Sequence, residues 1–271
     1  MMTANSTHAQ TKESGQYANV NGIKMYYEIH GTGQPLVLLH GGGSTINTTF
    51  SKIMPRLAKT HQVIAIELQG HGRTGDRTAF ETFKQDADDV AELLKQLNIS
   101  KADVFGFSNG GHTALQLAIS HPGLINKLII ASAFYKRDGV PAGFWEGFKD
   151  PKFSDMPQIY KDEYLRLNNN DTTKLMNMFN KDVQRMLVFK DWTDEDIKSI
   201  QTPTLVVIGD RDLPYPEHAA KMARLLPHGR LAILPGHHGE YLGEMAFPDT
   251  GSKIPELFTA MVNEFLEGSV K

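Results

Sequence analysis

The sequence predicts an α/β architecture: a mostly parallel central sheet flanked by helices and broken once by a helical insertion. Three observations carry this. Short apolar runs recur at Leu36–Leu39, Val63–Ile66, Val104–Phe107, Leu128–Ile130, Leu205–Ile208 and Leu231–Leu234. Segments of helical periodicity lie between them, and residues 136–200 hold no strand-like run at all.

Residues 1–16 are rich in Thr, Ser, Asn and Gln and read as a flexible tail. Asn21-Gly22 then separates Tyr17–Val20 from Ile23–Ile29. Asn-Gly between two β-rich runs signals a hairpin, because both turn positions need positive φ. The six apolar runs that follow are apolar on both faces, the pattern of strands covered by helices on two sides. Phe83, Ala87, Val90, Leu94 and Leu97 repeat at helical spacing, with Asp86, Asp88, Asp89 and Glu92 on the other face. That is an amphipathic helix lying on a sheet. Gly110–Ser120, Glu217–Leu226 and Pro255–Leu266 repeat the pattern, and strand–helix alternation of this kind means an α/β fold. The insertion instead offers Phe144, Trp145, Phe148, Phe153, Tyr160, Tyr164, Met176, Met178 and Phe179 between polar and Pro breaks. The expected division is a tail at 1–16, a core at 17–135 and 201–271, and a helical insertion at 136–200.

Composition narrows the chemistry. The 271 residues are 40% hydrophobic and 22% charged, with a formal net charge of −3 and interspersed signs. Nothing in that balance favours nucleic acid or an anionic membrane. Cysteine is absent, which removes disulfides, thiolate catalysis and Cys-based zinc sites. No secretory signal pattern opens the chain and no apolar run approaches membrane-spanning length, so the expected setting is the cytoplasm.

The sharpest motif is Gly106-Phe107-Ser108-Asn109-Gly110, directly after the strand Ala102–Phe107 and directly before a helix. So tight a strand-to-helix turn strains its central residue and needs small neighbours two positions away on either side. It lifts the Ser108 hydroxyl above the sheet at a helix N-terminus, where developing negative charge is favoured. His40-Gly41-Gly42-Gly43 leaves an earlier strand. Glycines there let a backbone N–H face an oxyanion, and Gly42 with Asn109 is the expected pair of donors. Leu205–Ile208 runs into Gly209-Asp210-Arg211-Asp212, and Leu231–Leu234 into Pro235-Gly236-His237-His238-Gly239. An acid and a histidine past successive strands complete the order Ser, Asp, His, which separates this scaffold from other serine-hydrolase layouts.

With those residues in place, the sequence resembles the α/β-hydrolase fold family from about Ala18 to Leu266. Glu67-Leu68-Gln69-Gly70-His71-Gly72-Arg73 is similar to the family's Asp-x-x-Gly-x-Gly-x-Ser turn, and Pro203-Thr204-Leu205 to the entry of its acid-bearing strand. Glu67 stands where Asp is commoner, and Asn109 where Met or Gln is commoner. The resemblance makes residues 136–200 a cap over the active site and its aromatics, Trp145 and Phe148 among them, the walls of an apolar substrate pocket. It puts the acid at Asp212, three residues past Gly209, rather than at Asp210. For the base it leaves two candidates. A Gly-His pair favours His237, whereas the spacing to Glu244 favours His238, the choice made here, with His237 as the alternative.

The expected activity is hydrolysis of a small carboxylic ester or lactone through an acyl-enzyme, with no metal and no cofactor. On the same triad, C–C bond hydrolysis, thioester hydrolysis and cofactor-free peracid formation compete with it. A non-catalytic ligand-binding protein on this scaffold is the competing class, but such a protein has no need of all three triad members. Serine at the elbow argues against the family's dehalogenases and epoxide hydrolases, which place Asp there. Gly70-His71-Gly72-Arg73-Thr74-Gly75 matches a dinucleotide fingerprint by letter only. The fingerprint needs a helix to open at once and an acid about 20 residues on; here the helix begins near Phe83 and Lys95 stands at that distance. The eleven histidines show no metal-binding spacing.

Overall fold

The computed structural model describes residues 15–268. Most of the expected tail lies outside these residues; Gly15 and Gln16 already belong to the first strand. Eight strands form one sheet: β1 (Gly15–Val20), β2 (Ile23–His30), β3 (Gln34–Leu39), β4 (His61–Ile66), β5 (Ala102–Phe107), β6 (Ile125–Ala131), β7 (Thr204–Gly209) and β8 (Gly229–Leu234). Their order is β1-β2-β4-β3-β5-β6-β7-β8. Only β1 with β2 and β2 with β4 pair antiparallel; the rest run parallel. The β1–β2 turn is the Asn-Gly hairpin, with φ of +43° at Asn21 and +89° at Gly22.

The helices are α1 (Ile46–Phe50), α2 (Met54–Leu57), α3 (Phe83–Gln96), α4 (Asn109–Ser120), α5 (Ala142–Lys149), α6 (Gln158–Leu167), α7 (Thr172–Leu187), α8 (Asp194–Ser199), α9 (Pro216–Leu225) and α10 (Ile254–Glu267). Period-two alternation divides the strand side chains between two cores. Val37, Leu39, Ile64, Val104, Ile130 and Val206 pack with Ala87, Val90 and Leu94 of α3 and Ala114 and Leu115 of α4. Leu36, Leu38, Val63, Phe105, Ile129 and Leu205 pack on the opposite face with Phe50 of α1 and Phe258 and Val262 of α10. Each such burial contributes about 1.5–3 kcal/mol, so the central strands are held from both sides.

Two sequence expectations need correction. β8 is not apolar-covered on both faces: Leu231 and Ile233 are 38% and 46% exposed. As the last strand it has a neighbour on one side only. The span 136–200 is helical, yet α8 departs from the rest, because Ile197 and Ile200 pack in the sheet core. α5, α6 and α7 form their own small clusters, one around Phe134, Trp145, Met186 and Phe189 and one around Met156, Tyr164, Leu175 and Met178. The short helices α1 and α2 carry no periodic signal in the sequence. No described helix is long and apolar enough to cross a membrane.

Candidate active site

The site lies where β3, β5, β6, β7 and β8 end. Ser108 links β5 to α4 with φ of +53° and ψ of −120°, a conformation that costs a non-glycine residue about 1–3 kcal/mol. Its flanking glycines are steric requirements. A Cβ on Gly106 would stand 2.1 Å from the Gly110 carbonyl oxygen, and one on Gly110 would stand 2.1 Å from that of Leu39. The strained turn aims Ser108 Oγ at His238 Nε2, 3.0 Å away. His238 Nδ1 lies 2.7 Å from Asp212 Oδ1. A carboxylate only accepts, so Nδ1 carries the proton and the Nε2 lone pair faces the serine hydroxyl.

Asp212 is held on both oxygens. Oδ1 also accepts from the Leu213 N–H at 2.7 Å, while Oδ2 accepts from the Gly209 N–H at 3.1 Å and from Ser132 Oγ at 2.5 Å. Burial works to raise its pKa, but the His238 and Ser132 donors and the Gly209 N–H outweigh it and hold the carboxyl below its ordinary value. The two neighbouring candidates turn elsewhere. Asp210 Oδ1 accepts from the Gly236 N–H at 2.8 Å, tying the ends of β7 and β8 together. His237 points outward with 53% of its side chain exposed, and its Nδ1 pairs with Glu240 Oε2 at 3.0 Å. The structure therefore brings Ser108, Asp212 and His238 together and leaves His237 and Asp210 apart.

The glycine loop after β3 is fixed by two histidines of opposite character. His40 Nδ1 donates to the Gly41 carbonyl at 2.7 Å, and its Nε2 accepts the Leu68 N–H at 3.0 Å. Burial pushes its pKa down to about 3, so it is neutral. His71 differs. Nδ1 faces the Gln69 carbonyl at 2.8 Å and Nε2 faces Asp182 Oδ2 at 3.0 Å. Both of these partners are acceptors, and the Gly43 N–H, 3.1 Å from Nε2, lies closer to Asp182 Oδ2 at 2.6 Å, so both nitrogens carry protons. Burial disfavours that charge, but Asp182 outweighs it and pushes the pKa up to about 9. Asp182 comes from α7 and also takes the Gly43 N–H at 2.6 Å. With Gly43 engaged, the Gly42 and Asn109 N–H groups remain as the loop's candidate oxyanion donors. A Cβ on Gly42 would stand 2.4 Å from the Asn109 side-chain amide, which would have to swing aside to admit it.

Behind Asp182 lies a buried charge cluster. Arg185 bonds Asp182, reaches Asp86 Oδ2 at 2.9 Å and stands 3.5 Å from Glu81 Oε2. Burial outweighs these cations for the two outer acids, pushing Glu81 up to about 8 and Asp86 to about 6.

In front of Ser108 opens a cavity of about 540 Å³ beneath α5, α6 and α7. Its walls are mostly apolar, with Phe134, Phe144, Phe148, Met178, Phe179 and Met186 among them. Phe148 lines it as expected from the sequence. Trp145 does not. Its ring packs against Phe134 and Phe189, and its Nε1 donates to the Arg137 carbonyl at 2.9 Å, so it braces the insertion rather than facing the cavity. Sequence reasoning missed Ser132, Asp182, His71 and Tyr241 as members of the site. Only His71 had a local signal, its place between Gly70 and Gly72. Among the described residues, no group of three or more His, Asp or Glu side chains is arranged to hold a metal ion.

Comparison with known proteins gives the same kind of scaffold. Residues 34–180, more than half of the chain, match the alpha/beta hydrolase fold family. The dihydrolipoyllysine-residue acetyltransferase component of an acetoin cleaving system from Cupriavidus necator is 36% identical over 134 residues. That match spans 49% of this chain and only 36% of the relative's own length. Serine hydrolase BPHL from Homo sapiens is 29% identical over 257 residues, 88% of this chain and 84% of that protein. Among solved structures, a serine hydrolase involved in carbazole degradation superposes with a TM-score of 0.76 at 23% identity, covering 93% of this chain and 98% of that one.

Proposed function

Because this chain belongs to the α/β-hydrolase fold family, we propose that it is a serine hydrolase of small carboxylic esters or lactones, with Ser108 as nucleophile, His238 as base and Asp212 as acid. One observation carries the reading: a single imidazole stands 3.0 Å from Ser108 Oγ and 2.7 Å from a buried carboxylate. His238 Nε2 takes the Ser108 proton as Oγ attacks the acyl carbon. The carbonyl electrons move onto oxygen, which the N–H groups of Gly42 and Asn109 stabilise at the N-terminus of α4. Collapse of the adduct expels the alcohol, which leaves with the proton from His238. Water then repeats the sequence on the acyl-enzyme, releasing the acid and restoring Ser108. Throughout, Asp212 fixes the tautomer and balances the imidazolium.

In this reading α5, α6 and α7 are a cap that excludes water and Phe148 contacts the acyl or alcohol group. The enzyme works in the cytoplasm, where a chain without cysteine is indifferent to reducing conditions. The test is turnover of p-nitrophenyl esters of rising chain length, alongside lactones, thioesters and a C–C cleavage substrate. Ser108→Ala is expected to lose on the order of 10³-fold or more, since the covalent route disappears. A fluorophosphonate probe should label Ser108 in the parent protein. Activity of Ser108→Ala within tenfold of the parent refutes the assignment, and an unlabelled, inactive parent favours the ligand-binding alternative.

A further inference from the structure

We infer that Ser132 and Tyr241 form a positioning relay behind the triad acid, Ser132 bonding Asp212 and Tyr241 bonding Ser132, so that Asp212 and His238 are oriented as one unit. Ser132 follows β6 directly, buried, with φ of +51°. Its N–H donates to the Val207 carbonyl at 2.9 Å, which fixes the residue against the end of β7. Its Oγ stands 2.5 Å from Asp212 Oδ2 and 2.7 Å from the Tyr241 hydroxyl. Proton counting sets the direction of both bonds. The carboxylate has no proton to give, so Ser132 donates to Asp212, and the hydroxyl left to donate to Ser132 Oγ is that of Tyr241.

Tyr241 sits three residues past His238 in the turn Glu240–Leu242. The bonds therefore close a ring: His238 to Asp212, Asp212 to Ser132, Ser132 to Tyr241, and Tyr241 through three peptides back to His238. Its ring is fully buried against Phe258 of α10, with centroids 5.1 Å apart. The histidine loop is thus anchored in the core by the same side chain that completes the circuit. With Oδ2 taken by Ser132 and the Gly209 N–H, the carboxylate cannot rotate away from His238 without breaking several bonds. Backbone strain points the same way. Positive φ suits glycine, yet this position carries a serine whose hydroxyl is fully used.

The inference rests on the Ser108–His238–Asp212 reading, and the experiment separates the two. Ser132→Ala, Ser132→Gly, Tyr241→Phe, the Ser132→Ala/Tyr241→Phe double variant and Ser108→Ala are compared on p-nitrophenyl acetate. For each, kcat, KM, the pH profile of kcat/KM and thermal melting are measured. Ser132→Ala is expected to lose about 10- to 100-fold in kcat at little-changed KM, the scale of a misplaced catalytic group. Ser132→Gly should lose as much, although glycine relieves the left-handed φ and keeps the fold. Tyr241→Phe should lose less, and the double variant no more than Ser132→Ala, because Tyr241 acts through Ser132. The rising limb of the profile should move to higher pH in both Ser132 variants, since a carboxylate without that donor holds the imidazole proton more strongly.

Ser132→Gly with parental kcat and an unmoved profile overturns the relay, because the hydroxyl is then dispensable. Additive losses in the double variant overturn it as well, because the two side chains then act separately. Parental activity in Ser108→Ala overturns the triad reading itself.

Discussion

Deprotonating His71 should loosen the protein, and the structure sets how far. The folded state holds this imidazole as a cation between the Gln69 carbonyl and Asp182, with its pKa pushed up to about 9 from an ordinary 6.5. A group that binds its proton more tightly when folded stabilises fully below its unfolded pKa and loses that contribution as pH rises through the folded one. The interval from 6.5 to about 9, at ~1.4 kcal/mol per pKa unit, makes about 3 kcal/mol that should disappear over that range. Glu81, raised from 4.5 to about 8, adds loss of the same sign at its own pH values. Asp182 has the opposite sign: its lowered pKa gives stability above 3.8 that is lost only in strong acid. Urea unfolding at pH 6.5 and 9.5 is the assay, with His71→Gln beside the parent. At a urea slope of ~1–3 kcal/mol per molar, the parent midpoint should fall by about 1–3 M. His71→Gln should start lower and fall less. Equal slopes of midpoint against pH in the two proteins would refute the charged His71–Asp182 pair.

Three further outcomes follow from the site. Asp212→Asn should keep the fold and lose turnover strongly, because an amide holds the imidazole in the wrong tautomer, while Asp210→Asn, whose partner is the Gly236 N–H, should be milder in a steady-state assay. His238→Ala should lose on the order of 10³-fold or more, whereas His237→Ala should keep most of its rate; the reverse ranking moves the base to His237. Phe148→Ala should shift ester chain-length preference, since the ring lines the cavity. Trp145→Ala should leave that preference alone and cost about 3–5 kcal/mol in thermal unfolding, as a buried brace.

What could be read from the sequence is what depends on neighbours in the chain. The Ser108 turn is legible because its glycines stand at fixed spacing around one strand-to-helix turn, although Gly110 is demanded by the Leu39 carbonyl of β3 and only Gly106 by a contact within the turn itself. The strands are legible because burial on two faces leaves continuous apolar runs. Choosing between His237 and His238 was harder, since one residue of register decides which ring points inward and only Glu244 offered a measure. The remaining site residues meet across the fold. Asp182 reaches His71 over 111 residues and Gly43 over 139. Ser132 and Tyr241 are 109 apart and carry no spacing signal, because their pairing depends on how β6 and the histidine loop come side by side. Trp145 and Phe148 differ in the same way. They share one short helix, and only the packing of that helix against Phe134 and Phe189 decides which ring sees the cavity.

Helix α7 has a consequence for anyone who would retrain this enzyme by directed evolution. Met178, Asp182 and Met186 recur every four residues and form one stripe of the helix, and all three line the cavity. Apolar residues of the cavity wall are therefore interleaved with the carboxylate that secures Gly43 and His71. A library randomising the whole stripe would trade selectivity against rate in nearly every clone. One that varies Met178, Phe179, Val183 and Met186 while keeping Asp182 and Arg185 separates the two properties on a single helix.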